Sequence, residues 1–233
     1  MSASAASIPT RFTRALNVLG SHGFEFGSNG HLSVRNPELP GTYYVNPFGV
    51  PLASITERDL VLLDDEGAVV ESPNGRVVNY FSATHTIHQA RPDAEAVTHL
   101  HTEYGFAFSA LGRPLRAVNT DSALITGHQA LWENFGHSGS AAEAFGPTAK
   151  VLIQRGHGFI TLGRSIEEAS FLLIAAERSA KANLLILAAS DSGEVPEIAP
   201  EIQERFSVDP ETAETHFAIH VAALDRTRTG AEV

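Results

Sequence analysis

The stretch RPDAEAVTHLHTEYGFAFSALGRPL, residues 91–115, decides how the chain is read. Arg91-Pro92-Asp93 closes a helix, because the pyrrolidine ring of Pro92 disfavours the α region for the residue before it. AEAVTHLH then has the pattern of a strand, and side chains on a strand alternate faces with period two. His99 and His101 therefore project from the same face, as a pair of metal ligands would. Two half-buried core histidines would satisfy the same spacing, and the H-x-H pattern alone does not separate the two readings. Thr102 with Glu103 caps a further helix through Leu111, stopped by Gly112 and Pro114.

Upstream, Phe12, Leu16 and Leu19 form an i, i+4, i+7 apolar face that ends at Gly20 and Gly23, an amphipathic helix with a glycine stop. HLSVR from His31, TYYV from Thr42, DLVLL from Asp59 and AVVES from Ala68 read as short strands joined by Pro- and Gly-containing turns, a pattern of antiparallel pairing. Phe81 to Ala90 reads as a helix. Downstream, KVLIQ is a buried strand that runs into Arg155-Gly156-His157-Gly158, where the glycines let a third histidine approach another element closely. Ser165 and Glu168 have capping-box spacing, and Ala169, Leu173, Ala176, Ala180, Leu184 and Leu187 give the long helix that follows a buried face. Pro196 and Pro200 mark a linker, and Asp209-Pro210 opens a last helix. Antiparallel strands interleaved with helices on one core predict an α/β sandwich.

The composition narrows the chemistry. With 43% hydrophobic and 18% charged residues in 233, the chain is globular. It contains no cysteine, so disulfides, thiolate metal sites and cysteine nucleophiles are excluded, and any metal must be held by His, Asp or Glu. A net charge of −11 and only two lysines, Lys150 and Lys181, leave no basic stripe for nucleic acid. The N-terminal segment MSASAASIPTR has no signal-peptide pattern, and no window reaches membrane-spanning length, so the expectation is a cytoplasmic protein with no membrane partner. Eleven histidines are the unusual feature. Three neutral imidazoles, His99, His101 and His157, suit Zn, Fe, Mn or Co and leave a coordination position open for substrate.

The segment 91–115, with the RGHGFITLGRS stretch, the NGHLSVR turn and strand, and the NPFGVP turn, resembles the class II aldolase and adducin family. The match runs in the same order from the first helix to the long one after Ser165. The resemblance implies a three-layer α/β/α sandwich with a central, mostly antiparallel sheet of nine strands. It also implies a cyclic homotetramer with active sites between subunits, and a divalent metal, usually zinc, acting as Lewis acid on a small-molecule substrate. On this reading residues 1–195 form the family domain, and residues 196–233 are a linker and a C-terminal helix packed on that domain or on a neighbouring subunit.

The sequence departs from the family pattern in four places. Gly30-His31 replaces a Gly-Asn, Phe48-Gly49 replaces a Ser-Gly, and Val78-Asn79-Tyr80 stands where the family has Ser-Ser-Glu, so the acid/base glutamate is absent. The tyrosine often donated by a neighbouring subunit aligns near Thr120. Losing hydroxyl and amide donors removes a phosphate cradle, so the expected substrate is non-phosphorylated and partly apolar or aromatic. Proton transfer must come from elsewhere: His31 is the first candidate, with Tyr80 and Asp121 as alternatives. His85 and His88 are read as packing residues, His128 and His137 as loop residues able to serve a neighbouring site, His216 and His220 as surface or tail-packing residues. Glu103 either orients a ligand imidazole or caps its helix. The expected activity is a metal-dependent carbon–carbon lyase. A non-haem Fe(II) oxygenase and a non-catalytic, adducin-like interaction domain are the rivals.

Overall fold

Pro9 lacks an N–H that the first turn of a helix does not use, and Ser7 accepts a hydrogen bond from the Thr10 amide at 3.3 Å, so α1 (Ile8–Ser21) begins there. It buries Phe12, Ala15, Leu16 and Leu19. In this computed structural model, residues 6–78, 81–133 and 140–230 are described. Within them β1 (His31–Arg35), β2 (Thr42–Val45), β3 (Val61–Asp64) and β4 (Val69–Glu71) form successive antiparallel pairs. After α2 (Phe81–Ala90), β5 (Ala96–Leu100) pairs antiparallel with β1. Then come α3 (Glu103–Ser109), α4 (Thr120–Thr126), β6 (Gln129–Trp132), α5 (Ala141–Phe145), β7 (Val151–Gln154), β8 (Gly158–Gly163), α6 (Ile166–Ala189), α7 (Pro200–Phe206) and α8 (Pro210–Thr229).

The sheet order is β4-β3-β2-β1-β5-β8-β7-β6, with helices on both faces. The expected three-layer sandwich is therefore present, with eight strands among the described residues rather than nine. One pair, β6 with β7, is parallel, because the chain returns through α5 instead of a hairpin. Period-two alternation divides the core. Ala96, Leu100, Val151, Ile153 and Phe159 pack on one side with α1, α6 and α8, while Val97, Leu152, Ile160 and Leu162 pack on the other with Ile87 of α2 and Phe145 of α5. Every residue of β5, β7 and β8 is buried, so these strands read as apolar runs instead of clean alternation.

Two expected caps are modified by tertiary contacts. Ser165 accepts from the Glu168 amide, but the Glu168 carboxylate accepts from the Arg164 amide at 2.7 Å and pairs with Lys150. At α3 the Thr102 hydroxyl makes no cap. The buried carboxylate of Glu177 on α6 accepts from the amides of Tyr104 at 2.8 Å and Gly105 at 2.6 Å instead. A carboxylate at a helix N-terminus is stabilised by the unsatisfied amides there, and a long-range partner outcompetes the local hydroxyl. No helix among the described residues is long and apolar enough to cross a membrane.

Candidate metal centre

β5 places His99 on the face toward α2 and α5, with 3% of its surface exposed. Its Nδ1–H donates to the Phe159 carbonyl on β8 at 2.8 Å. That bond fixes the tautomer and leaves the Nε2 lone pair free, and Nε2 is buried without a hydrogen-bond partner among the described residues. His101 lies one residue past the end of β5, shorter than the expected strand, yet still on the same side. His157 sits in the turn between β7 and β8, where its amide donates to the Gln154 carbonyl at 2.9 Å. The Gly158 amide donates to the buried Ser109 hydroxyl at 2.9 Å, which ties this turn to α3.

The three imidazoles converge. Ring centroids are 5.1 Å apart for His99 and His101, 5.0 Å for His99 and His157, and 4.7 Å for His101 and His157. One ligand nitrogen from each lies within 4.8 Å of the others, so the triad could hold a metal ion. Burial lowers all three pKa values, which keeps the rings neutral. A buried nitrogen with no partner is costly, and an ion accepting three imidazole lone pairs removes that cost. The residues present fit a divalent metal.

His31 is the register partner of His99 across the β1–β5 pair, with ring centroids 5.3 Å apart. Burial, reinforced by His101 and His157, pushes its pKa down to about 4. Gly30 brings His31 to this position. Its φ of +103° belongs to glycine, and a Cβ there would meet Leu100 Cδ2 at 2.5 Å and the His99 carbonyl at 3.0 Å. Gly30→Ala is therefore expected to destabilise the fold by about 2 kcal/mol or more and to weaken metal binding. Urea unfolding and metal titration of the variant check this; wild-type values in both would contradict it.

His31, His99, His101 and His157 open on a cavity of about 740 Å3, also lined by Asn29, Ser82, Thr86, Trp132, Ser140 and Gln154. No Asp, Glu, Lys or Arg is among its described lining residues. Lys150 is engaged by Glu168, and Lys181 lies over the Tyr104 ring at 4.9 Å.

The other candidates lie elsewhere. Asp121 pairs with Arg178 at 2.6 Å in a separate cleft of about 530 Å3 beside α4 and α6, which Glu103 also lines. The Phe159 carbonyl, not Glu103, orients the His99 imidazole. Tyr80 and His137 lie outside the described residues. Phe48 is 43% exposed, and its side chain does not line the cavity. His85 pairs with Asp65 at 3.1 Å, and His128 contacts the Ser207 hydroxyl at 3.0 Å. His216 stacks on Phe171 and His220 meets His22. His88 is fully buried, as a packing role requires. Sequence reading missed Trp132, Gln154 and Thr86. Only the KVLIQ strand, whose last residue is Gln154, offered a signal for any of them.

The family described as Class II Aldolase and Adducin N-terminal domain matches residues 10–184. The chain is 31% identical to "Decarboxylase NovR" of Streptomyces niveus, across 82% of this chain and 74% of that protein. It is 30% identical to "4-hydroxy-3-prenylphenylpyruvate oxygenase/4-hydroxy-3-prenylbenzoate synthase" of Streptomyces roseochromogenus subsp. oscitans, across 82% of this chain and 72% of that one. Among solved structures, "L-fuculose 1-phosphate aldolase from Glaciozyma antarctica PI12" superposes with a TM-score of 0.89 at 30% identity, covering 96% of this chain and 90% of that one.

Proposed function

Because the chain belongs to the class II aldolase and adducin family, we propose that it is a metal-dependent carbon–carbon lyase. Its substrate is a small, non-phosphorylated hydroxy- or oxo-acid, cleaved by decarboxylation or by aldol cleavage. The observation that carries this reading is the buried, unpartnered Nε2 of His99 within a histidine triad, facing a cavity free of charged side chains among the described residues.

His99, His101 and His157 would hold the divalent ion, zinc first, with iron, manganese or cobalt served by the same donors. Such an ion supplies Lewis acidity toward a carbonyl or carboxylate oxygen. The rest belongs to the chain. The Phe159 carbonyl keeps the His99 ring turned with Nε2 inward. His31 lines the cavity and is our choice for the group that exchanges a proton with the substrate there. Tyr80 directly precedes α2, whose Ser82 and Thr86 line the cavity, and is kept as a second proton carrier. Asp121 serves this chemistry only across a subunit boundary, as a homotetramer with shared sites would allow. A lining without a carboxylate favours decarboxylation over aldol cleavage, because loss of carbon dioxide needs no base to remove a hydroxyl proton, and the carbanion left behind takes its proton from solvent or through His31. The relative named a decarboxylase agrees with that choice.

An oxygenase is the second reading, favoured by the relative whose printed name is an oxygenase and by a triad without a carboxylate. Retention of the three imidazoles around an unpartnered nitrogen argues against a purely structural, adducin-like domain. Metal analysis of protein purified under argon without added metal, followed by turnover assays, tests the proposal. One zinc or manganese per chain, with turnover of hydroxy- or oxo-acids, is expected. Iron with oxygen consumption would establish the second reading, while phosphorylated hydroxy-ketones as better substrates, or no metal uptake, would overturn both.

A further inference from the structure

β6 and β7 run parallel with Trp132 opposite Gln154, so the two side chains rise from adjacent strands about 4.8 Å apart. Both line the metal cavity. Gln154 is 7% exposed, and its side chain lines that cavity. The Trp132 indole Nε1 is buried and lacks a partner among the described residues. Buried indole N–H groups are almost always paired; an unpaired one beside a carboxamide on the same cavity wall is a ligand's place. The backbones beneath them are held: the Arg155 amide donates to the Trp132 carbonyl at 3.0 Å, and the His157 amide to the Gln154 carbonyl at 2.9 Å.

We propose that the Trp132 indole and the Gln154 carboxamide form a neutral donor pair that binds a carboxylate oxygen of the substrate. The inference rests on the reading of the cavity as the site of a small organic acid. Neutral N–H donors satisfy the oxygens of a monoanion, whereas a phosphate dianion would meet no cation among the described lining residues. The pair thus selects carboxylate over phosphate, and acid over ester, at the wall opposite no charge of its own. An ester keeps a carbonyl acceptor but loses the charge, and a hydrogen bond to an ionised oxygen is roughly twice as strong as one to a neutral oxygen.

Calorimetric titration of the metal-loaded protein with pyruvate and phenylpyruvate, and with their methyl esters, tests the pair against Trp132→Phe and Gln154→Leu. Both variants keep most of the side-chain volume and remove the donors. Each is expected to bind the acids about 10- to 100-fold more weakly, the range for a hydrogen bond to a charged group. Ester binding, weak in the wild type, should fall by less. Metal content per chain, measured on the same samples, should stay at the wild-type value, which shows that the variants are folded. Acid affinities within twofold of wild type in both folded variants, or esters binding the wild type as tightly as acids, would overturn the donor pair while leaving the lyase reading intact. A wild-type protein that binds phosphorylated hydroxy-ketones and no acid would instead remove the reading on which the pair rests.

Discussion

His99→Ala is expected to lower affinity for a divalent metal by well over a hundredfold and to abolish turnover. Loss of a group that only orients a metal ligand costs about 10- to 100-fold, and His99 is placed to be a ligand itself. Its Nε2 has no other partner among the described residues, and its Nδ1 is committed to the Phe159 carbonyl, so no other nitrogen of the ring can take over. His85→Ala provides the contrast. His85 pairs with Asp65 outside the cavity, so metal affinity in that variant should match wild type. Competition with a chromophoric chelator measures both. Wild-type affinity in His99→Ala would remove the triad from the chemistry.

The metal-free protein is expected to lose stability steeply as pH falls below 6.5, and among the histidines outside the triad His88, with a pKa pushed below even that of His31, contributes most. His88 is fully buried; its Nδ1–H donates to the Ala94 carbonyl at 2.7 Å, and its Nε2 accepts from the Ser33 hydroxyl at 2.8 Å. Burial pushes its pKa down to about 3. The folded state therefore holds a neutral ring, while the unfolded chain takes up a proton near pH 6.5. The stabilisation is complete above pH 6.5 and is lost progressively toward pH 3, below which both states are protonated. The slope is about 1.4 kcal/mol per pH unit for one such group, so the total is several kcal/mol against a typical stability of about 5–15 kcal/mol. Urea unfolding of wild type and His88→Phe between pH 4 and 7 checks this. The variant is less stable at pH 7, because Ser33 and Ala94 lose a partner, but its pH slope should be shallower by about one proton. Parallel slopes would show that His88 does not titrate as described.

Much of the fold is legible locally. HLSVR and TYYV coincide with β1 and β2, Phe81–Ala90 with α2, and the capping pattern at Ser165 opens α6 where expected. What escaped is short. α4, α5, α7 and β6 have seven, five, seven and four residues, too few turns or pleats for periodicity to register. Their stability comes from neighbours: Asn119 caps α4, Ser140 and Glu143 cap α5, and β7 pairs β6. β8 escaped for the opposite reason. Buried on both faces, GFITLG carries no alternation to read.

The sequence by itself determined the donors open to a metal. No cysteine, an H-x-H pair on a strand and a histidine between glycines restrict any metal to imidazole or carboxylate donors. These follow from residue identity and from the two-residue repeat of a strand, which are local. Tertiary structure alone decided the rest. It brought His31 opposite His99 through strand pairing, and made the Phe159 carbonyl, instead of Glu103, the group that orients the His99 ring. It left Asp121 in another cleft and set Trp132 beside Gln154 on the cavity wall. Each of these depends on which strands become neighbours and in what register, and that is settled by burial of the whole core on both faces of the sheet, not by any segment read alone.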